Sequence, residues 1–303
     1  MRDNHYKLFI GLIQSFLTFL KILVRSKFFL LKYSVDGGSC VILGNGPSLR
    51  KTLIDYEEQL KVIDVLGVNN LTTTDVYTRI KPRYFLITSS EFWNPGSIKK
   101  DQDNRDNIID QMIKKTSWPL VFFVPALAKS NPKFINNIKQ NQNIEIYFFN
   151  NTPVEGNSSM NNFFMSRGWG LSRPHNVLIP SIYNIVNAGY TQIYLIGADH
   201  SWLPLISVND KNEALLNQQH FYDEENPKSE TMHQNSKPRH LHQILEKFML
   251  SFRSYFELKD YAASKGVDIY NCTPGSFIDA FERKDLSEVF AEIEQKQDSF
   301  VSK

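Results

Sequence analysis

Seven short, almost uninterrupted apolar runs set the limits on what this chain can fold into. They are Cys40-Val41-Ile42-Leu43, Val62-Ile63-Asp64-Val65-Leu66-Gly67-Val68, Tyr84-Phe85-Leu86-Ile87, Leu120-Val121-Phe122-Phe123-Val124, Ile144-Glu145-Ile146-Tyr147-Phe148-Phe149, Ile193-Tyr194-Leu195-Ile196 and Val267-Asp268-Ile269-Tyr270. A strand with one wet face alternates apolar and polar residues, whereas a strand covered on both faces is apolar throughout. Helical stretches lie between several of the runs; residues 180–188, for example, place Ile182, Ile185 and Val186 on one face before Gly189. The expected fold class is α/β, a Rossmann-like, mostly parallel sheet with helices on both faces.

At 303 residues, with 42% hydrophobic and 22% charged residues, the chain has the bulk and composition of a folded, enzyme-sized body. A net charge of +2 is too small for wholesale nucleic-acid binding, so no nucleic-acid partner is expected. The two cysteines, Cys40 and Cys272, have neither Cys-x-x-Cys nor zinc-ligand spacing, which fits a reducing compartment. Cys40, inside an apolar run, reads as a buried side chain without chemistry.

Residues 6–33 are rich in Phe and Leu but interrupted by Lys7, Lys21, Arg25, Lys27 and Lys32. The longest uncharged stretch, residues 8–20, is shorter than the about 20 apolar residues a spanning helix needs, and no signal-type cleavage site follows it. Three arrangements are open. In order of preference they are an amphipathic helix lying in a lipid headgroup region, a helix packed on the protein's own body or on a partner, and a true span. Residues 1–36 are therefore expected to be a membrane-associating helix at the cytoplasmic face of the inner membrane, attached peripherally. The turn-rich joint Asp36-Gly37-Gly38-Ser39 then opens a catalytic α/β domain over 37–283, and residues 284–303 form a terminal helix and tail. Residues 203–240 are polar, dotted with aromatics and free of periodicity, as a lid over a site would be. Residues 241–263 read as a long helix with an apolar stripe at Leu241, Leu245, Phe248, Phe252, Tyr255 and Phe256, and residues 287–295 as a shorter one.

The sharpest local feature is Gly44-Asn45-Gly46-Pro47-Ser48, a glycine turn between the first apolar run and a helix start. Glycines admit close approach of a ligand and helix-start amides favour phosphate, but a purely structural strand-to-helix turn is the competing reading. The turn is not a P-loop, because it lacks Gly-Lys-Ser/Thr, and Leu49 stands where the dinucleotide fingerprint needs a third glycine. Ligands of open α/β sheets sit beyond the carboxyl ends of the strands, which also brings in Asn69 after the second run, Ser89 after the third and Asp199 after Ile193-Tyr194-Leu195-Ile196. Asn69 either contacts base or ribose or shapes a turn. Asp199 either holds ribose or a metal or caps a turn. Thr273 and Ser276 after the last run either contact a nucleotide or form a plain turn. The one Asp-x-Asp pair, Asp101-Gln102-Asp103, lies in a charged stretch away from any strand end and reads as a solvated loop.

Gly44-Asn45-Gly46-Pro47-Ser48-Leu49, Asn69 and Gly189-Tyr190-Thr191-Gln192-Ile193-Tyr194-Leu195-Ile196-Gly197-Ala198-Asp199 together resemble the bacterial lipooligosaccharide sialyltransferases and the related motility-associated flagellin glycosyltransferases, over residues 38–283. The resemblance implies a metal-independent GT-A variant of the Rossmann-like sheet and a CMP-activated nonulosonic acid as donor. It also implies inverting single displacement with a histidine general base, and tyrosines on the donor phosphate. Gly44, Asn45, Gly46, Pro47, Ser48 and Asn69 match the donor-binding positions. Where those sialyltransferases carry Thr-Ser-Gly, this chain has Asn176-Val177-Leu178, with Asn176 the expected donor contact. Tyr222 and His220 fall at the phosphate-binding tyrosine's place. His242 is the first choice for the base, His240 the second and His220 the third; a neutral imidazole can take a hydroxyl's proton near neutral pH. Arg239 and Lys237 are candidates for the departing phosphate. No metal or other cofactor is expected; the partners are a nucleotide-sugar donor, a glycan or lipid-linked acceptor and a membrane surface. The competing functions are an ATP- and Mg²⁺-dependent pyrophosphokinase-like enzyme, for which Asp199, Asp223, Glu224 and Glu225 would supply ligands, and a non-catalytic nucleotide-binding module docked at the membrane.

Overall fold

The computed structural model describes residues 2–94, 99–217, 219–223, 230, 231, 233, 234 and 237–301. After helix α1 (Arg2–Arg25) the chain alternates: β1 (Ser39–Leu43), α2 (Leu49–Leu60), β2 (Asp64–Val68), α3 (Val76–Ile80), β3 (Tyr84–Leu86), α4 (Lys99–Lys115), β4 (Leu120–Pro125), α5 (Pro132–Ile138) and β5 (Ile144–Phe149). Helices α6 (Ser158–Ser166) and α7 (Leu178–Ala188) lead to β6 (Gln192–Ile196). Short strands β7 (Ile206–Val208), β8 (Ala214–Leu216), β9 (Glu230–Thr231), β10 (His233–Gln234) and β11 (Lys237–Pro238) follow. The chain then closes with α8 (Leu241–Ala263), β12 (Asp268–Asn271), β13 (Glu282–Arg283) and α9 (Leu286–Val301).

The main sheet has the order β13-β12-β6-β1-β2-β3-β4-β5, and every neighbouring pair in it is parallel. This is the expected doubly wound α/β sheet. Its continuous apolar runs have a direct physical cause: Cys40 and Ile42 enter one core while Val41 and Leu43 enter the other. The first core is covered by α6, α7 and α8, through residues such as Phe164, Ile182 and Tyr255. The second is covered by α2, α3, α4, α5 and α9, through Leu53, Tyr77, Ile109, Ile138 and Val289. The chain winds from β1 outward to β5 and then returns to the other side of β1 as β6, so the strand order reverses between β1 and β6. Crevices at such a switch point are where ligands of this architecture bind.

Four details depart from the sequence-based expectations. Asp101-Gln102-Asp103 lies inside α4 rather than in a loop; the helix buries only Ile108, Ile109 and Met112 of its second half, too short a stripe to betray the first turns. Residues 203–240 are not one irregular lid: β7, β8 and β9 form a small antiparallel sheet and β10 pairs with β11, in strands too short to show a period. The buried face of α8 is Ile244, Phe248, Ser251, Tyr255, Leu258 and Tyr261, while Leu241, Leu245 and Phe256 are exposed. Helix α9 is longer than residues 287–295 and packs Val289 and Phe290 into the second core.

Helix α1 docks with small and polar residues facing inward. Ser15 Oγ accepts the Asn157 amide at 2.8 Å, Thr18 Oγ1 donates to the Glu155 carbonyl at 2.8 Å, and Ser26 Oγ donates to the Trp169 carbonyl at 2.5 Å. Lys21 reaches Glu155 at 3.3 Å, a carboxylate shared with Arg173 at 2.6 Å. Among the described side chains of α1, Ile22 is the large apolar one that is fully buried. Phe9, Leu12, Phe16, Leu17, Leu20 and Leu23 are exposed, the reverse of a surface helix that buries its apolar stripe. Among the described residues no helix is long and apolar enough to cross a membrane.

Candidate functional site

A crevice of about 1290 Å³ opens beyond the carboxyl ends of β1, β2 and β6. The glycine turn borders it, and the reason for its glycines is the neighbouring strand end. A Cβ on Gly44 would lie 2.2 Å from the Gly197 carbonyl oxygen, and one on Gly46 would lie 1.9 Å from Asp199 Oδ2. The Gly44 amide donates to the Ile196 carbonyl at 2.7 Å and the Gly46 amide to Gly197 at 2.8 Å. The Ser48 amide and hydroxyl donate to the two Asp199 carboxylate oxygens at 3.2 and 2.8 Å. Burial pushes the Asp199 carboxyl above its ordinary pKa, against these two bonds. Asp199 thus clamps the start of α2, and three amides that could have met a phosphate already have partners inside the fold.

The Gly44→Ala variant is expected to lose about 3 kcal/mol or more of stability, because the atom it meets is backbone and cannot swing aside. Urea unfolding would measure this; a midpoint equal to wild type would contradict the close approach.

Asn45 joins the first two strand ends. Its Nδ2 donates to the Val68 carbonyl at 3.2 Å, while its Oδ1 is buried and meets no partner among the described residues. Asn69, with φ at +49°, takes the left-handed conformation that Asn tolerates well, and Asn69 and Asn70 both line the crevice. Helix α4 contributes Asn104 and Arg105, the latter paired with Glu91.

The β6 end continues into His200, which is buried at φ +50°. Tyr255 Oη lies 2.6 Å from His200 Nε2 and donates to Asn176 Oδ1 at 3.0 Å, which assigns the Nε2–H tautomer to His200. Asn176 Oδ1 also accepts the Leu178 amide at 2.9 Å, so Asn176 caps α7 and braces α8 while lining the crevice. Burial drives the His200 pKa down to about 3. Between the ordinary imidazole value near 6.5 and about 3, the unfolded chain takes up a proton here that the folded chain refuses. Stability from this residue is therefore complete above about pH 6.5 and falls as the pH is lowered, by at most about 1.4 kcal/mol per pH unit. Urea midpoints from pH 7 to pH 4 should fall more steeply for wild type than for His200→Asn, a residue that accepts the left-handed backbone. Equal slopes would refute the assignment.

The loop 219–223 lies against the glycine turn: the Phe221 amide donates to the Asn45 carbonyl at 3.1 Å, and Arg50 of α2 grips the Phe221 carbonyl at 2.9 Å and that of Asp223 at 2.7 Å. This places His220 and Tyr222 in the crevice wall, their rings stacked at 5.0 Å. His220 Nδ1 is 3.1 Å from Asp223 Oδ2. A carboxylate on Nδ1 favours the tautomer whose Nε2 carries the lone pair, the form a general base needs.

Other sequence-derived candidates fall elsewhere. His240 and His242 stack on each other at 5.9 Å at the exposed start of α8, outside the crevice lining, because the helix turns its Ile244 and Phe248 side inward. Ser89 donates to Glu91 at 3.1 Å and does not line the crevice. Thr273 is buried as a strut, accepting the Ala198 amide at 3.0 Å and donating to Leu195, and Ser276 donates to the Ala198 carbonyl at 2.7 Å. Arg239 is half-buried just ahead of α8, and Lys237 lies in β11. Glu224 and Glu225 lie outside the described residues. Sequence inspection missed His175, Lys247 and Ser251 of the crevice wall; none stands at a strand end, and Lys247 is hidden in the polar phase of a long helix.

No protein-family model matches this chain, and no curated protein does. Among solved structures, a MAf glycosyltransferase from Magnetospirillum magneticum AMB-1 is similar, at 10% sequence identity and a TM-score of 0.45. The match covers 91% of this chain and 38% of that one, so the chain spans under two fifths of the length of the protein it matches.

Proposed function

We propose that this chain is an inverting glycosyltransferase. It takes a sialic-type, nonulosonic sugar from a CMP-activated donor and gives it to a saccharide or lipid-linked acceptor at the cytoplasmic face of the inner membrane. The observation that carries the proposal is convergence. The glycine turn, Asn69 and the strand ending in Asp199, on which the resemblance to the sialyltransferase and flagellin-glycosyltransferase group rests, border one crevice at the β1/β6 switch point. The volume of about 1290 Å³ exceeds the 300–1,000 Å³ usual for a single small ligand, in keeping with a donor and an acceptor held together.

In this scheme Asn45 and Asn69 receive the nucleoside and the acceptor hydroxyl faces His220. His220 Nε2 takes the proton, the acceptor oxygen bonds to the anomeric carbon, and the bond from that carbon to the phosphate oxygen breaks with its electron pair leaving on CMP. Asp223 holds the imidazole and steadies the cation formed. A resident metal has no part in the scheme: among the described residues the carboxylates lining the crevice, Asp199 and Asp223, are committed to Ser48 and His220.

The test is a panel of CMP, CDP, UDP, GDP and ATP for thermal stabilisation, followed by transfer from CMP-activated nonulosonic acid with and without EDTA. CMP should stabilise most, and transfer should survive EDTA. Stabilisation by ATP and Mg²⁺ alone would favour the pyrophosphokinase-like alternative and refute this one.

A further inference from the structure

One wall of the crevice lies between the start of α7 and the first half of α8, and it carries His175, Asn176, Lys247 and Ser251. Three nitrogens in and behind it are buried without a hydrogen-bond partner among the described residues: His175 Nε2, Asn176 Nδ2 and Arg239 Nε. Each such group costs about 1–3 kcal/mol unless a partner reaches it; Asn176 Nδ2 and Arg239 Nε need an acceptor, as does the imidazole in its Nε2–H tautomer. Positive charge gathers at the same place. Lys247 and Arg239 act on each other, and both act on His175, as does Arg173. Arg173 is neutralised by Glu155 at 2.6 Å, and Arg105, the other cation of the crevice lining, is paired with Glu91. Lys247 forms no ion pair with a described carboxylate, and at His175 Glu246 acts against the surrounding cations. The chain therefore keeps two like charges together beside a cavity lined by His175 and Asn176, each with an unsatisfied nitrogen, at a cost that a bound oxyanion would offset.

We propose that the His175–Lys247 wall, backed by Arg239, is a phosphoryl-binding subsite. It supplies the donors that the Gly44, Gly46 and Ser48 amides do not, since those three are already bonded within the fold. A phosphoryl group has the charge for Lys247 and Arg239 and enough acceptor oxygens for Asn176 Nδ2 and the imidazole. It can belong to the nucleotide of the donor or to a phosphate-bearing acceptor. The subsite itself rests on the crevice as a ligand site, and only the choice of source rests on the proposed transferase function.

Calorimetric titration of the full chain with inorganic pyrophosphate tests the subsite. Wild type and Lys247→Arg should bind it, and Lys247→Met should bind about tenfold more weakly or less. Lys247→Met is expected to melt no lower than wild type without ligand, because it removes a partly buried, unpaired charge. Titration with CMP and with cytidine separates the sources. If Lys247→Met weakens CMP but not cytidine, the subsite holds the donor's phosphate; if it weakens pyrophosphate alone, the subsite holds a phosphate of the acceptor. Equal pyrophosphate binding by wild type and Lys247→Met, or none by wild type, would overturn the subsite. Pyrophosphate binding with neither CMP nor cytidine bound would leave the subsite standing and remove the donor assignment instead.

Discussion

His220→Ala is expected to lower the transfer rate about 10²- to 10⁴-fold, the range a positioned general base supplies, with CMP binding changed far less. Three observations single out His220. It lines the crevice, its Nδ1 is held 3.1 Å from a carboxylate, and its loop is fastened to the glycine turn by Arg50 and by the Phe221 amide. Asp223→Asn should act in the same direction, because it releases the tautomer. His240→Ala and His242→Ala should stay close to wild type, since those rings stack on each other outside the crevice. The pattern separates the histidines cleanly: full activity in His220→Ala alongside loss in His242→Ala would assign the proton transfer to the α8 start instead.

Changing Leu12, Phe16, Leu20 and Leu23 together to serine is expected to abolish binding to anionic lipid vesicles without destabilising the fold. All four are exposed and lie on the outward side of α1, so the folded body loses little by their removal. At about 1 kcal/mol for each half-immersed side chain, roughly a thousandfold of partitioning should vanish. Arg25 follows Lys21 by one turn of α1, so wild-type binding should weaken with salt and with uncharged lipid. The polar docking of Ser15, Thr18 and Ser26 gives this proposal its physical footing, because it turns the apolar stripe away from the body. Vesicle flotation decides the matter; unchanged flotation of the quadruple variant would show that the face serves another partner.

The sheet was legible because burial on both faces leaves a mark in consecutive residues: Cys40-Val41-Ile42-Leu43 can be apolar throughout only if each side of the strand meets a core. The carboxyl-edge location of the crevice followed from those runs and the general rule for such sheets. Contacts between distant segments were not legible. Asp199 clamps Ser48 across 151 positions, and no pattern near either residue announces it. Helix α8 carries two apolar stripes, one through Ile244, Phe248 and Tyr255 and one through Leu241, Leu245 and Phe256, and periodicity alone cannot choose which is buried. The expected stripe drew Phe248, Phe252 and Tyr255 from the first and the rest from the second, and that mixture also concealed Lys247. For α1 the sequence showed an apolar helix with cations, but the inward role of its serines and threonine depends on Glu155, Asn157 and Trp169, far along the chain.

The most direct measurement is a crystal structure of the full chain with CMP. The nucleotide is predicted beyond the ends of β1 and β2, its cytidine beside Asn45 and Asn69 and its phosphate toward the wall of His175 and Lys247 or the loop of His220 and Tyr222. CMP bound at another surface, with this crevice unchanged, would contradict the assignment of the crevice as the donor site.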